Sequence, residues 1–134
     1  MWLALWPDGT PESHGDDIER IFAGTASTLP AVQFVAENDD GNLIGVLQVG
    51  LRSHADACDP RAPVGFIEGW YVAPEFRRRG VGAALVRAAE DWARAQGCVE
   101  MASDAQLDNV ASHYAHGALG YEIVERAVHF RKQL

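Results

Sequence analysis

The sequence predicts one α/β (α+β) domain spanning 1–134, and three observations carry that expectation. A length of 134 residues suits a single compact domain. A hydrophobic share of 48% against 22% charged residues supplies enough apolar surface for a core and excludes a disordered chain. Segments of period two alternate with segments of period 3.6, and no internal repeat or low-complexity tract interrupts them.

The elements follow in order. Met1 to Trp6 is apolar but lacks a basic flank, and Pro7-Asp8-Gly9 breaks it well short of the roughly 18 residues a membrane span needs. Trp2 is read as a packing residue of a shortened first helix. Ile18, Ile21 and Phe22 give a helical face between Asp16 and Ala26. Val32 to Glu37 and Leu43 to Leu51 are strands joined by Asn38-Asp39-Asp40-Gly41-Asn42, whose turn chemistry predicts an antiparallel hairpin. Arg52 to Pro63 is a loop.

Val64 to Val72 is the most strand-like segment. Simple alternation puts Val64, Phe66, Glu68, Trp70 and Val72 on one face, so a carboxylate stands in an apolar row. Val81, Ala84, Leu85, Ala88 and Trp92 mark an amphipathic helix that ends at Gly97. Cys98 to Ala102 reads as a short strand and Asp108 to Leu119 as a second helix stopped by Gly120. Tyr121 to Glu125 and Ala127 to Lys132 read as closing strands.

The net charge of −8 is unevenly placed. Residues 1–50 hold eight carboxylates against one base, Arg20, while residues 51–134 hold eleven carboxylates against ten bases. This balance argues against nucleic acid or an anionic membrane surface as partner, and permits a cationic small molecule or a basic protein. Two cysteines, Cys58 and Cys98, without a C-x-x-C spacing, fit a reducing cytoplasm.

Chemistry concentrates between the Val64 strand and the long helix, at Pro74-Glu75-Phe76-Arg77-Arg78-Arg79-Gly80-Val81-Gly82. N–H groups at a helix start lack intrahelical acceptors and lie at the positive end of the helix dipole. Glycines there let an anion approach, and three arginines add charge. The segment is neither a Walker A loop nor a three-glycine dinucleotide fingerprint. His113 and His116 have metal-ligand spacing on a helix, but no third ligand follows suitably, so no metal is expected.

The pattern Arg77-x-x-Gly80-x-Gly82 after Trp70-Tyr71-Val72 resembles the coenzyme A pyrophosphate loop of the GNAT N-acetyltransferases. Pro63 to Val72, Gly97 to Asp104, Asn109, Ser112-His113, Leu119-Gly120-Tyr121 and Glu125-Arg126 together resemble the aminoglycoside 6′-N-acetyltransferases among them. The resemblance implies a central, largely antiparallel sheet with a parallel pair splayed around acetyl-coenzyme A (acetyl-CoA), helices on both faces, and an N-terminal strand missing from this chain. It further implies that Trp70, Tyr71 and Val72 bind the pantetheine and acetyl end through backbone groups, and that Arg77, Arg78, Arg79, Gly80, Val81 and Gly82 hold the pyrophosphate. Asn109 would hydrogen-bond the cofactor. Glu68, Asp104 and Glu125 would face the antibiotic's ammonium groups, with Trp6 near the sugar rings. A homodimer is implied on the same ground.

Acetyl transfer from a thioester to an amine needs a neutral nucleophile, a site for the oxyanion and help for the departing thiolate. Splayed backbone N–H groups at the end of the Val64 strand suit the oxyanion. The amine arrives protonated, so a carboxylate must take its proton directly or through water. Asp104 is read as base and Glu68 as binder, with the reverse assignment and a structural role for Glu68 left open. Where many relatives carry a tyrosine acid seven residues after the motif asparagine, this chain has His116; thiolate protonation falls to His116, to Tyr114 or to solvent. The loop 52–63 lacks the aromatic of its relatives.

The function expected is acetyl-CoA-dependent acetylation of an aminoglycoside 6′-amino group, giving antibiotic resistance. The alternatives are the same chemistry on a polyamine or peptide N-terminus, and a non-catalytic CoA-binding or dimerisation module. The early carboxylates would assist only by long-range attraction of a polycation, an effect that salt weakens.

Overall fold

The computed structural model describes Trp2–Trp6 and residues 29–134. The expected helix between Asp16 and Ala26, the carboxylates from Asp8 to Glu19 and the side chain of Trp6 lie outside the described residues. The chain divides into two compact units, Met1–Ser103 and Asp104–Leu134.

The first unit is a five-stranded sheet in sequential order. Strands β1 (Trp2–Trp6), β2 (Ala31–Glu37), β3 (Leu43–Arg52) and β4 (Val64–Val72) pair antiparallel, and β5 (Met101–Ser103) joins β4 in parallel. Trp2, read from sequence as a residue of a shortened first helix, therefore lies in a strand along the edge of β2 instead. A five-residue apolar run has no periodicity that separates helix from strand, and a neighbouring strand's unpaired N–H and C=O groups decide it.

The β2–β3 hairpin forms as its turn residues predict. Asn38 Oδ1 accepts from the N–H groups of Asp40 and Asn42, both at 3.0 Å, and Gly41 takes φ 81°. The strands that follow are buried nearly end to end, with Val35, Val46, Leu47 and Val49 fully covered. Helix α1 (Val81–Ala95) closes one face through Val81, Leu85, Val86, Ala89 and Ala93. On the opposite face Val35 and Val46 pack with Leu43 and Tyr71.

Helix α1 stops as expected. Gly97 takes φ 91°, its N–H donates to the Arg94 carbonyl, and the Cys98 N–H donates to the Ala93 carbonyl. That pair of bonds is the Schellman arrangement, and it places Cys98 in a helix cap instead of the strand read there. The strand begins only at Met101.

The pairing of β3 with β4 carries a further correction. Gln48 faces Gly69 and Val49 faces Ile67, so Glu68 is an extra residue in β4, a β-bulge. The bulge reverses the alternation beyond it. A Cβ on Gly65 would stand 2.8 Å from Ala93 Cβ, and one on Gly82 would stand 3.1 Å from Trp70 Cζ2, so positions 65 and 70 both look toward α1. Trp70 and Val72 do not share a face with Phe66 and Glu68.

The second unit contains α2 (Val110–Ala118). Asn109 caps it, with Oδ1 accepting from the Ser112 N–H at 3.1 Å. Residues 121–134 hold no strand, contrary to the two closing strands read from sequence. Alternation alone cannot make a strand; it needs a paired ladder, and within 104–134 no strand is available to provide one. Ile123, Val124, Val128 and Phe130 are accordingly exposed.

Candidate active site

The site in the first unit grows from the end of β4. The parallel ladder with β5 covers only Gly65–Ile67 against Met101–Ser103. Past Ile67 the β4–β5 pairing ends, at the position where the bulged Glu68 changes the strand's course. A bulge bends its strand and stops pairing locally, so one inserted residue both opens the sheet and re-aims Trp70, Tyr71 and Val72.

Beyond Val72 the chain makes one 3₁₀ turn, Pro74–Phe76, and reaches the arginine segment. Arg78 (φ 64°) and Gly80 (φ 84°) both adopt left-handed backbone, which brings the chain sharply into α1. Gly80 is the N-cap of α1 with no side chain to satisfy the first turn's N–H groups, and no atom lies within 4 Å of where its Cβ would be. The helix start is thus open to an anion. Arg77 folds back, Nε donating to the Val72 carbonyl at 2.8 Å with its guanidinium 5.8 Å from the Tyr71 ring centroid. Arg79 stands 5.7 Å from the Phe76 ring. Arg77, Arg78 and Arg79 are all exposed.

Glu68 has a partner the sequence reading did not name. Arg52, at the end of β3, donates Nε to Oε1 at 3.0 Å and Nη2 to Oε2 at 2.9 Å, and its guanidinium lies 3.5 Å from the Phe66 ring centroid. β3 runs one residue past its apolar stretch, so Arg52 falls opposite Val64 and diagonal to Phe66.

The 52–63 loop is fastened by its own chemistry. The Asp59 N–H donates to Glu100 Oε1 at 2.6 Å, and Arg61 holds the Asp59 carboxylate with Nε and Nη2. The Arg61 side-chain hydrogen bonds, then its backbone N–H, hold Asp59 below the ordinary carboxylate range. A depressed carboxylate favours the fastened loop above its unfolded pKa, and the preference is lost as pH falls through the lowered value. Arg61→Ala is therefore expected to raise the Asp59 pKa toward the ordinary value, read by NMR titration of the side-chain carboxyl; an unmoved titration would show that Arg61 does not hold it. Burial, then Glu100 and Asp56, push the Cys58 thiol up, and burial does the same to Cys98. The shift lowers the thiolate fraction of both at neutral pH.

In the second unit, Asp104 is exposed directly after β5, and Glu125 is exposed in the C-terminal segment. Tyr114 is exposed on an open apolar groove of α2 shared with Val110, His113, Gly117 and Ala118. His116 Nδ1 is 2.7 Å from the Ser112 carbonyl and 3.2 Å from Ser112 Oγ, with its ring edge-on to Tyr121. A carbonyl oxygen only accepts, so Nδ1 carries the hydrogen toward Ser112. His116 can give a proton from Nε2 only as imidazolium. Asn109 Oδ1 is used as a helix cap. No group of three or more His, Cys, Asp or Glu side chains able to hold a metal occurs among the described residues.

Comparison with known proteins agrees with this geometry. The model of the Acetyltransferase (GNAT) family matches residues 1–121. An aminoglycoside N(6′)-acetyltransferase type 1 from Klebsiella aerogenes is 45% identical, over 99% of this chain and 89% of that protein. Another, from Stenotrophomonas maltophilia, is 42% identical over 98% of this chain and 82% of its own length. Among solved structures, aminoglycoside 6′-N-acetyltransferase AAC(6′)-Ih from Acinetobacter baumannii superposes with a TM-score of 0.74 at 30% identity, covering 99% of both chains. AAC(6′)-Iy in complex with a bisubstrate analogue, CoA-S-monomethyl-acetylneamine, superposes with a TM-score of 0.73 at 36% identity, covering 93% of this chain and 85% of that one. The end of the β4–β5 ladder, the bulge and the arginine-glycine helix start thus sit in a chain that belongs to the GNAT acetyltransferase family.

Proposed function

We propose that this chain transfers acetyl from acetyl-CoA to the 6′-amino group of aminoglycosides and so confers resistance to them. The observation that carries the chemistry is the joint presence of the β4–β5 opening and an uncapped, arginine-flanked helix start on one strand-to-helix connection. The substrate class rests on relatives named for 6′-acetylation at 36–45% identity. The whole of 1–134 is read as one acetyltransferase domain.

The residues present fit acetyl-CoA. Gly80 leaves open space where any side chain would intrude, and Arg77 to Arg79 supply positive charge suited to a pyrophosphate. Arg77, Arg78, Arg79, Gly80, Val81 and Gly82 would hold that group, while backbone of Trp70, Tyr71 and Val72 would take the pantetheine arm, with Asn109 as a further contact. When bound, the cofactor supplies an activated acetyl thioester. Glu68, Asp104 and Glu125 bind the ammonium groups of the aminoglycoside, with Trp6 beside its sugars, and Asp104 takes the proton of the attacking amine. His116 as imidazolium, Tyr114 or solvent returns a proton to the thiolate.

Among the described residues no helix is long and apolar enough to cross a membrane. We read the location as cytoplasmic, supported by the acetyl-CoA cofactor and by the two free cysteines, Cys58 and Cys98. A homodimer is part of the same reading.

Thiol release from acetyl-CoA, measured with kanamycin or tobramycin, with spermidine and with a peptide, tests the proposal. Release with the aminoglycosides alone is the expected result. Release only with spermidine or peptide would move the substrate class, and cofactor binding without release would point to a non-catalytic module.

A further inference from the structure

We propose that Arg52 is a positioning residue for Glu68. The inference rests on the reading of Glu68 as a substrate-facing carboxylate and adds a residue to that site. A guanidinium is planar, with donors fixed in a fork, and here two of them meet the two oxygens of one carboxylate at 3.0 and 2.9 Å. Its flat face is backed by Phe66 at 3.5 Å. Phe66 and Glu68 are two apart on the β4 segment that leads into the bulge, while Arg52 reaches across from β3.

Each group therefore constrains the next. The ring limits where the guanidinium can lie, and the fork then fixes the plane of the carboxylate. Each carboxylate oxygen has two lone-pair sites, so one on each remains for another donor. The Glu68 side chain keeps 21% of its surface exposed, and Arg52 keeps 44%. Solvent-exposed pairs of this kind add little to stability. Their geometric effect is larger: a flexible carboxylate at a bulge is turned into an acceptor of fixed direction, and the charge it presents to a polycation is already balanced by Arg52. Recognition of an ammonium group at Glu68 then depends on direction more than on net attraction.

The geometry distinguishes this role from two others. Were only the positive charge of Arg52 important, lysine would replace it. Were Arg52 only a brace for β4, its loss would disturb Trp70 to Val72 and with them the cofactor. Steady-state kinetics on the full chain with tobramycin and acetyl-CoA separate these cases. Arg52→Ala and Arg52→Lys are both expected to raise the tobramycin KM by about tenfold, the scale of one hydrogen bond to a charged group. The acetyl-CoA KM should stay within about twofold of the parent. In a Glu68→Gln background, Arg52→Ala should add less than about twofold, because the two side chains act as one unit. Phe66→Leu, which weakens the stack but keeps both charges, gives a second route with a smaller rise in the same constant.

An unchanged tobramycin KM in Arg52→Ala, full recovery in Arg52→Lys, or an equal rise in both KM values would each overturn the proposal. A parent enzyme inactive on tobramycin would overturn the assigned function and this role with it. An active parent with an indifferent Arg52→Ala would overturn this role alone.

Discussion

Asp104→Asn is expected to lower aminoglycoside turnover by about 10²- to 10⁴-fold, the usual contribution of a positioned base. The acetyl-CoA KM should stay within about twofold. The attacking amine is an ammonium ion in neutral water and cannot form the new C–N bond until it loses a proton. Asparagine keeps the size and a carbonyl acceptor but cannot hold that proton. Asp104 follows β5 directly and is exposed, with no hydrogen-bond partner among the described residues. Glu68, in contrast, has both oxygens engaged by Arg52. The proposed division, Asp104 as base and Glu68 as binder, is what this variant tests. Steady-state rates with saturating acetyl-CoA check the prediction, and parent-like turnover in Asp104→Asn would remove Asp104 from the role.

The parts of the fold that were legible in the sequence are those where one segment carries its own signal. The 3.6-residue spacing from Val81 to Trp92 gave α1, and Gly97 its end, because helix bonds and caps are local. Turn residues 38–42 gave the hairpin for the same reason. The helix start after Arg77 to Arg79 was legible because its glycines and the periodicity that follows them are local signals. Illegible features were those decided by pairing between segments. The bulge at Glu68 leaves no mark in composition, since one residue more or less is settled by what lies across in β3. Its consequence, the changed face of Trp70, was therefore missed as well. Trp2–Trp6 became a strand and Tyr121 to Lys132 did not, because a ladder requires a neighbour that the segment itself does not encode. The Arg52–Glu68 fork was hidden by reading Arg52 as loop, one residue beyond the apolar run that β3 extends.

Leu85→Ala is expected to lower unfolding stability by about 2–5 kcal/mol, the largest folding effect of any single change considered. Leu85 is fully buried on α1 and fills space over Gly45 of β3, where a Cβ would stand 3.1 Å from Leu85 Cδ1. Removing its branched end leaves a void between α1 and the sheet that carries β4. The backbone around Gly45 cannot collapse into that void, since it is held by β2 and β4 on either side. The reverse change is also unfavourable: Gly45→Ala puts a methyl 3.1 Å from Leu85 Cδ1, 3.2 Å from Val81 Cγ1 and 3.2 Å from the Tyr71 carbonyl oxygen. Overpacking of this sort costs about 1–3 kcal/mol. Two of the three crowding atoms belong to α1, and Leu85→Ala removes one of them while opening the space that the new methyl would enter. Gly45→Ala with Leu85→Ala should therefore lose less than the sum of the single changes, by about 1 kcal/mol, as expected for contacting side chains. The Tyr71 carbonyl and Val81 contacts remain, so recovery is partial. Urea unfolding of the parent, the two single variants and the double variant measures the coupling. Strict additivity would show that Leu85 and position 45 do not share this space, and that α1 is seated on the sheet by other contacts.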